Sequence, residues 1–400
     1  MNISRLQMIQ NVFDDAVKSN QIAGMNCAVF QNGKELGYWQ SGFADVENKK
    51  PFNRDTICRL YSMTKPVTNV AAWILIEKGK MELCDEVGRY LPEFWNLQVC
   101  DEAGKGREGK ARKSSRCLLI QDLLNMTSGY TYGAWWDGAP LGEHLTSDLL
   151  NELNEDVKKD FKITTQNVAE RLAKIPVSFE PGTNFCYGLS ADIMGAVIEK
   201  VSGMRFSDFL KKNIFEPLGM NDTDFYVPEE KYSRLARTYD KKDDKLVLFT
   251  SPHLGIQGDA KRKPAFESGG AGLCSTLDDY AKFAQMLSNK GEFNGKRILQ
   301  SRTVEFFSKA HLRDNLQRCF DNCMEHLSGY SYANFMRVCV DEGKVKMLTE
   351  RGEFGWDGWL GPFVSMDIKN NLTIVYMMQL CGSGLTNCSR KMKNIVYSSL

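Results

Sequence analysis

The chain has 400 residues, of which 42% are hydrophobic and 11% aromatic, enough to fill the core of one large domain or two smaller ones. Its 51 basic and 50 acidic side chains give a formal net charge of +1, so no overall field draws it to nucleic acid or to an anionic membrane. These values exclude nucleic acid and membrane as expected partners and favour a globular protein that acts on small molecules.

The N-terminal segment predicts an amphipathic helix followed by a β-hairpin. Two β-rich runs flank Asn32-Gly33, a strong signal for a two-residue turn. The segment has no unbroken apolar stretch of signal-peptide length, and no later stretch reaches the roughly 20 apolar residues that span a bilayer, so we expect a cytoplasmic protein. The helix is predicted from apolar residues at helical spacing: Ile3, Leu6, Ile9, Phe13 and Val17.

The C-terminal segment repeats this pattern, with two strands around residues 369–371 and a last helix from about Ser389. We therefore predict one antiparallel sheet flanked by helices, an α+β or α/β sandwich built from both chain ends. In this prediction residues 1–84 and 265–400 form the sheet domain, and residues 85–264 form an inserted, mostly helical subdomain. Four segments between the ends have helical period: 120–126, 168–174, 191–201 and 277–287.

Two features along the chain need separate interpretation. Residues 101–116 carry six basic and three acidic side chains among glycines, which predicts a mobile surface insertion. The twelve cysteines are scattered, so free buried thiols are expected. Cys319, Cys323 and His326 could in principle hold a metal ion, but no second pair of ligands lies nearby in sequence, and we expect none.

A serine and a lysine three residues apart suggest a catalytic nucleophile. Ser62 and Lys65 lie in "ICRLYSMTKPVTNVAAWILIEKG", where an apolar helix begins, and positions i and i+3 share one helix face. Lysine activates a serine only if its pKa, about 10 in water, is lowered by burial or a nearby cation. The alternative is a helix cap followed by a solvated lysine, and a chain of this size should contain about one or two such spacings by chance.

Several further segments of the chain bear on the role of Ser62 and Lys65. Besides the Ser62 segment, the chain contains "IQDLLNMTSGYTYG", "FEPGTNFCYGLSADIMGAVIEKVSG", "IFEPLGMNDTDFYVP", "GGAGLCSTLDDYAKFAQML" and "GEFGWDGWLGPFVSMD". These segments occur in the order seen in class C β-lactamase-like serine hydrolases, which the chain resembles over roughly residues 10 to 385. That family includes class C β-lactamases, D-amino-acid amidases, family VIII carboxylesterases and acyl transferases.

The resemblance implies roles for particular residues. Ser62 is the acylated nucleophile, Lys65 its proton acceptor, and Tyr187 the partner base of the second motif. The oxyanion hole is formed by the backbone N–H groups of Ser62 and Trp359. The triplet Tyr332-Ala333-Asn334 spells the class C second motif literally, but it lies in a strand-like run just before the third motif, and we reject it.

The third motif is matched by Trp356, Asp357 and Gly358, which the resemblance places beside the substrate. We expect glycine at 358 because a side chain there would crowd the substrate. Asp357 would repel a β-lactam carboxylate and favour a cationic group; a local capping or pairing role is an equally simple reading. Leu189 stands where β-lactamases have an asparagine that orients the substrate amide. These departures disfavour β-lactam turnover.

An aromatic stretch follows "NMTSG", where relatives border the acyl pocket. Tyr130, Tyr132, Trp135 and Trp136 lie in it, and we take Tyr130 and Trp135 as candidate contacts to a bulky acyl or alcohol group. A purely structural aromatic cluster is equally consistent with the pattern.

Other hydrolase classes fit poorly. An α/β-hydrolase needs a histidine after its nucleophile serine, and the nearest elbow-like serine here is Ser331. No metallo-hydrolase motif is present. Every histidine precedes Ser331: His144, His253, His311 and His326.

We therefore predict a serine hydrolase that cleaves carboxylic esters through an acyl-enzyme on Ser62, without a cofactor or metal. The alternatives are a β-lactamase, a D-amino-acid amidase or peptidase, an acyl transferase, and a catalytically silent binding protein of the same fold. The expected partner is a small-molecule ester or amide, and the sequence leaves the oligomeric state open.

Overall fold

A computed structural model describes residues 2–102 and 104–400. The strands are β1 (Gly24–Gln31), β2 (Lys34–Asp45), β3 (Lys50–Pro51), β4 (Cys58–Arg59), β5 (Gln98–Cys100), β6 (Ala111–Lys113), β7 (Tyr239–Lys242), β8 (Lys245–Leu248), β9 (Cys274–Ser275), β10 (Glu292–Phe293), β11 (Lys296–Arg297), β12 (Tyr330–Ala333), β13 (Met336–Cys339), β14 (Phe354–Asp357), β15 (Phe363–Asp367) and β16 (Leu372–Met378).

The α-helices are α1 (Ile3–Leu6), α2 (Met8–Lys18), α3 (Thr64–Glu77), α4 (Ile120–Leu124), α5 (Leu141–Lys158), α6 (Thr165–Leu172), α7 (Ser190–Ser202), α8 (Phe206–Leu210), α9 (Glu216–Leu218), α10 (Leu277–Ser288), α11 (Ser301–Phe307), α12 (Asp314–Cys323) and α13 (Asn387–Tyr397). A π-helical turn, Lys211–Phe215, joins α8 to α9. None of the helices in the described ranges has both the length and the apolar character needed to cross a bilayer.

Eight strands from the two chain ends form one antiparallel sheet, as predicted. The strand order is β12-β13-β14-β15-β16-β1-β2-β3, so β16 near the C-terminus pairs directly with β1 near the N-terminus. Asn32 and Gly33 both have positive φ in the β1–β2 turn, which matches the twist of a two-residue hairpin. The sheet with flanking helices confirms the predicted fold class.

Helices cover both faces of the sheet. On one face α2 and α13 bury Ile9, Phe13, Met392 and Val396 against sheet residues such as Ile374. On the other face α10 packs against β1, β15 and β16, and α3 packs against β14 and α7. The four helical segments predicted for the middle of the chain are confirmed as α4, α6, α7 and α10. The subdomain boundaries at residues 84 and 264 stay a prediction.

The polar stretch 101–116 is more ordered than the sequence predicts. Its C-terminal half contains β6, which pairs with β5 and closes a hairpin. Charged side chains fix this hairpin to the protein, because Arg107 binds Asp148 and Arg112 binds Glu180. A hydrophobic pattern could not reveal this, since the hairpin is joined to the protein by these ion pairs and by backbone hydrogen bonds between β5 and Val177. Ala103 lies outside the described residues.

A buried ion cluster lies behind the strand that carries the third motif. Glu353, one residue before β14, contacts both Arg337 and Lys393, and all three side chains are fully buried. Burial alone would raise the pKa of Glu353, but the two cations and the Ser365 hydroxyl lower it to about 2. Removing one of these side chains would leave a buried charge without a partner, which is strongly destabilising. The cluster therefore fixes β13, β14 and α13 relative to one another.

Candidate active site

Ser62 lies on a strained turn between β4 and α3. The turn Tyr61–Met63 is a short 3₁₀-helix that runs directly into Thr64, the first residue of α3. Tyr61 has a φ of 46°, which is costly for an aromatic residue and persists only where the surroundings impose it. Its ring is buried, whereas Ser62 is partly exposed. The turn therefore holds Ser62 partly exposed, in contact with α3 and β14.

Lys65 is fully buried and reaches Ser62, as the spacing predicts. Its Nζ lies 3.0 Å from the Ser62 Oγ, 3.0 Å from the Tyr132 hydroxyl and 2.8 Å from the Gly270 carbonyl oxygen. Burial lowers the pKa of Lys65 to about 7, although the charges of Asp192 and Asp357 oppose this shift. Because an ammonium group has three donors, these three acceptors satisfy it, and the neutral amine has a lone pair facing the Ser62 hydroxyl.

A glycine-rich segment brings the Gly270 carbonyl to Lys65. A Cβ at Gly269 would lie 2.2 Å from the Ala191 carbonyl oxygen, and a Cβ at Gly270 would lie 2.8 Å from the Asp192 carboxylate. Asp192 is buried and accepts hydrogen bonds from Ser268 and the Gly270 N–H. The "GGAG" sequence is therefore needed for close packing on α7. No sequence pattern predicts this contact with Lys65, because it joins segments about 200 residues apart.

Tyr187 and Trp356 are joined by a hydrogen bond between their side chains. The Trp356 indole N–H donates to the Tyr187 hydroxyl at 2.8 Å, and the Lys65 Nζ lies 4.7 Å from the centroid of the Tyr187 ring. Burial raises the pKa of Tyr187, and the neighbouring Ser62 hydroxyl and Trp356 indole only partly offset this. Tyr187 is therefore a neutral phenol at pH 7, which can pass a proton but is not a free phenolate base.

Tyr132 is a member of the site that sequence reasoning missed. It was noted only as part of an aromatic stretch, yet its hydroxyl is one of the three acceptors around Lys65, and its ring packs edge-on against Tyr187 at 5.7 Å. Burial raises its pKa well above the ordinary value. No spacing rule connects Tyr132 to Lys65, because the contact joins the loop after α4 to α3.

The two predicted oxyanion donors are free of backbone partners. Among the described residues, neither the Ser62 nor the Trp359 N–H donates to a backbone carbonyl. Gly358 lets the loop after β14 approach the nucleophile turn, since a Cβ there would lie 2.2 Å from the Leu60 carbonyl oxygen and 2.8 Å from Pro362. The space beside Gly358 is thus occupied by the protein backbone, which is a different reason for glycine from the substrate crowding expected from the sequence.

An aromatic cluster fixes Trp359. Its indole stacks on His253 with ring centroids 4.0 Å apart and contacts Tyr61 at 5.0 Å and Phe249 at 5.6 Å. Burial lowers the pKa of His253 to about 4, so this ring is neutral. The structure gives it a packing role behind the predicted oxyanion hole.

Asp357 lies at the end of β14, partly exposed, and within electrostatic reach of Lys65. Burial raises its pKa to about 6, against the opposing charges of Arg337 and Lys65. At pH 7 the carboxylate is therefore mostly ionised. A negative group beside the nucleophile fits the predicted preference for cationic substrates.

The remaining predicted substrate contacts divide by exposure. Leu189 and Tyr130 are 2% and 1% exposed, so neither presents a surface to a ligand. Trp135 is 88% exposed on the loop that follows Tyr132, and Trp136 is 63% exposed. Only the tryptophans are free to meet a substrate, and a substrate role for Trp135 stays a prediction.

The rejected triplet proves to be close to the site without replacing Tyr187. Tyr332 is buried in β12, its ring lies 5.0 Å from Trp356, and it lies 6.3 Å from Tyr187. It supports these two rings from behind. In the described ranges no group of three histidine, cysteine, aspartate or glutamate side chains is arranged to hold a metal ion, and this includes Cys319, Cys323 and His326.

Comparison with known proteins identifies the family. The Beta-lactamase family model matches residues 9–392, and the chain belongs to this family. The protein Rv1367c from Mycobacterium tuberculosis is 30% identical over 366 residues, covering 90% of this chain and 86% of that protein. Esterase EstB from Burkholderia gladioli is 30% identical over 281 residues, covering 67% of this chain and 66% of that protein.

A solved structure shows the same fold. EstCE1, described as a hydrolase with promiscuous acyltransferase activity, superposes with a TM-score of 0.81 at 24% identity and covers 99% of both chains. At this level of identity the likeness concerns the architecture. The eight-stranded sheet and the helices that flank it are therefore the family fold.

Proposed function

We propose that the protein is a serine hydrolase that cleaves carboxylic esters through an acyl-enzyme on Ser62. The observation that carries this proposal is the Lys65 Nζ at 3.0 Å from the Ser62 Oγ, with a pKa lowered to about 7 by burial. A serine needs such a base to act as a nucleophile near neutral pH. Similarity to an esterase in the same family supports an ester as substrate.

In the acylation step the Ser62 Oγ attacks the ester carbonyl while its proton moves to the neutral amine of Lys65. The backbone N–H groups of Ser62 and Trp359 stabilise the developing oxyanion. When the carbon–oxygen bond to the alcohol breaks, the Tyr187 hydroxyl donates a proton to the leaving oxygen and takes one back from Lys65. For this transfer the Lys65 amine, 4.7 Å from the Tyr187 ring centroid and bonded to Ser62, Tyr132 and Gly270, must first approach the Tyr187 hydroxyl. Acylation thus ends with a free alcohol, an ester on Ser62 and a neutral Lys65.

Deacylation uses the same groups in reverse. Water enters the position that the alcohol has left, its oxygen forms a bond to the acyl carbon, and its proton passes to Lys65 through Tyr187. The bond between the acyl carbon and the Ser62 Oγ then breaks, and the serine recovers its proton from Lys65. An alcohol in place of water would transfer the acyl group instead, so acyl transfer is the second reaction that this site supports.

The site favours esters over β-lactams. A penicillin or cephalosporin carries a carboxylate, which Asp357 would repel where it ionises above about pH 6. Leu189 is buried and cannot orient a substrate amide. An ester with a cationic group near the carbonyl would instead be attracted to Asp357, and this charge is the substrate feature that we propose.

We further propose a cytoplasmic location. The twelve cysteines all fall in the described ranges and none of them is paired, which is typical of reducing compartments. Cell fractionation with the full chain tests this proposal, and recovery in an extracytoplasmic fraction would contradict it.

The experiment is a test for a covalent adduct. Purified protein is incubated with a short-chain p-nitrophenyl ester, quenched in acid and analysed by intact and peptide mass spectrometry, with turnover measured in parallel. We expect one acyl group on the peptide that contains Ser62, and loss of both adduct and turnover in Ser62→Ala.

A control variant and an added acceptor complete the experiment. Ser115→Ala removes an exposed serine from the polar hairpin and serves as the matched control, with adduct and turnover retained. Adding an alcohol to the reaction separates hydrolysis from acyl transfer by the product formed. An adduct on another residue, or equal turnover in Ser62→Ala and the parent protein, would refute the proposal.

A further inference from the structure

A second cleft lies outside the catalytic site, and we call it the basic cleft. It is lined by residues of the β2–β3 turn, Arg59 of β4, the end of α5, and segments 232–238 and 248–262. Its volume of about 640 Å³ is within the range of small-molecule sites in proteins. Phe249 belongs to its wall and also contacts Trp359, so the basic cleft lies near the catalytic site, but its lining does not include Ser62, Lys65 or Tyr187.

Cationic side chains dominate this lining. Its acidic members are Asp45 and Asp259, and Asp45 is already bound by Arg237 at 3.1 Å and by Asn48 at 2.9 Å. An excess of cations in a concave, partly desolvated surface gives a local positive potential although the whole chain is nearly neutral. The six cations of the lining are Lys50, Arg59, Lys158, Arg237, Lys261 and Arg262.

Several of these groups have no protein counter-ion. Within the described residues, Lys50 and Lys261 form no ion pair, and Lys261 instead lies 4.7 Å from the centroid of the Tyr232 ring. Arg262 uses its guanidinium to bind the Val157 and Lys159 carbonyl oxygens, so its charge also stays uncompensated by a carboxylate. Lys158 is paired with Glu155 at 2.6 Å and Arg237 with Asp45, so the positive charge that remains unpaired in the basic cleft comes from the other four cations of the lining.

Arg59 provides the most specific feature. The residue is only 6% exposed, and its Nη1 is held by the Ala236 carbonyl oxygen at 2.8 Å. Its Nε is buried without a hydrogen-bond partner among the described residues, and the same holds for the Oγ1 of Thr238, which also lines the cleft. Arg59 forms no ion pair among the described residues, and a buried guanidinium charge without a carboxylate is costly, so an anion held in the cleft that Arg59 lines would offset this cost.

We propose that the basic cleft binds an organic phosphate. A phosphate group offers three acceptor oxygens and up to two negative charges, which fits a fixed arginine donor, a threonine hydroxyl and two free lysines. The Tyr232 ring offers a flat surface for the organic part of such a ligand. This proposal does not depend on the reaction at Ser62, because its elements all lie in the lining of the basic cleft.

Binding of inorganic pyrophosphate to the full chain, measured by isothermal titration calorimetry at fixed ionic strength, tests the proposal. We expect saturable one-site binding with a Kd below about 1 mM. Lys50→Gln and Lys261→Gln should each weaken it about tenfold, and the Arg59→Lys variant should weaken it further if it folds. Lys245→Gln, an exposed lysine of the adjacent β7–β8 hairpin outside the lining, is the matched control and should bind like the parent protein.

Three outcomes would overturn the proposal. They are the absence of saturable binding, equal weakening by Lys245→Gln and Lys261→Gln, and equally tight binding of citrate, which would make the cleft a carboxylate site. Because the readout is heat of binding and not ester turnover, its failure is distinguishable from a failure of the proposed reaction.

Discussion

The Trp356 indole N–H donates a hydrogen bond of 2.8 Å to the hydroxyl of Tyr187, joining two motifs that lie 169 residues apart in the chain. Trp356 is 4% exposed and belongs to β14, whereas Tyr187 precedes α7. This contact orients the Tyr187 hydroxyl and lowers its pKa relative to burial alone. Trp356 is thus a positioning residue for the proton relay, a role that its predicted place beside the substrate did not include.

Replacing Trp356 with Phe should keep the packing of the ring and remove this hydrogen bond. We expect kcat to fall about fivefold with little change in KM, since one neutral hydrogen bond contributes about 1 kcal/mol. Steady-state ester hydrolysis measures both constants. Trp73→Phe is the matched control, because Trp73 is also buried and donates to Asn334 at 2.9 Å but lies away from the nucleophile. Equal losses of kcat in both variants would remove the positioning role.

The pH dependence of turnover should follow Lys65. Only the neutral amine accepts the serine proton, so kcat/KM should rise about tenfold per pH unit below pH 7 and level off above it. Asp357, with a pKa of about 6, titrates in the same range, and the two groups will appear as a coupled pair. A rate profile that is flat between pH 5 and 8 would contradict Lys65 as the base.

The Lys65→Met variant separates catalysis from stability. Because the folded protein lowers the pKa of Lys65, the unfolded chain binds more protons between about pH 7 and 10, and folding stability should rise with pH over that window. Methionine removes the cost of burying this amine, so we expect a Tm at pH 7 no lower than that of the parent protein, together with a loss of activity of at least about a thousandfold. Lys80→Met, at an exposed lysine, should leave both unchanged.

Tyr132→Phe should change the pH profile as well as the rate. It removes one of the three acceptors around the Lys65 ammonium, which should shift the kinetic pKa downward and lower kcat several-fold. Tyr130→Phe is a close control, since the Tyr130 hydroxyl is buried without a partner among the described residues and its loss should be neutral. A kinetic pKa that stays the same in Tyr132→Phe would assign this residue to packing only.

Gly358→Ala tests the approach of the oxyanion loop to the nucleophile. The added Cβ would lie 2.2 Å from the Leu60 carbonyl oxygen, so the loop must shift and carry the Trp359 N–H with it. We expect kcat to fall about a hundredfold or more, the size of effect seen when an oxyanion donor is lost. Gly343→Ala should have no effect, because a Cβ there meets only Asp341 at an ordinary 3.4 Å.

Asp357 should set the charge preference of the substrate. At pH 8 we expect the parent protein to hydrolyse an ester with an ammonium group in its alcohol about tenfold more efficiently than the neutral isostere, a difference of about 1.4 kcal/mol. The preference should vanish in Asp357→Gly and Asp357→Asn, and below pH 6 in the parent protein, where the carboxylate is protonated. The neutral ester is the internal control, and an unchanged ratio in both variants would reject this role.

Local sequence signals were sufficient for most of the fold. The Asn32-Gly33 turn and the alternating runs at both ends predicted strands that the structure pairs into one sheet, because turn chemistry and period-two patterns act over a few residues. The same locality explains Ser62 and Lys65, since three residues of helical geometry suffice to bring them together. The ion pairs of the polar stretch 101–116 could not be predicted, because their partners Asp148 and Glu180 are remote in sequence.

The sequence by itself determined the fold class and predicted that Ser62 and Lys65 lie together, because the strands, the turns and this pair depend on short-range periodicity and on ordered motifs. Only the tertiary structure decided how that lysine is tuned. Its low pKa comes from burial among Tyr132, Gly270 and the ring of Tyr187. Three separate segments of the chain bring these residues to Lys65. Desolvation and the contacts of a buried amine depend on three-dimensional packing, and no spacing along the chain contains them.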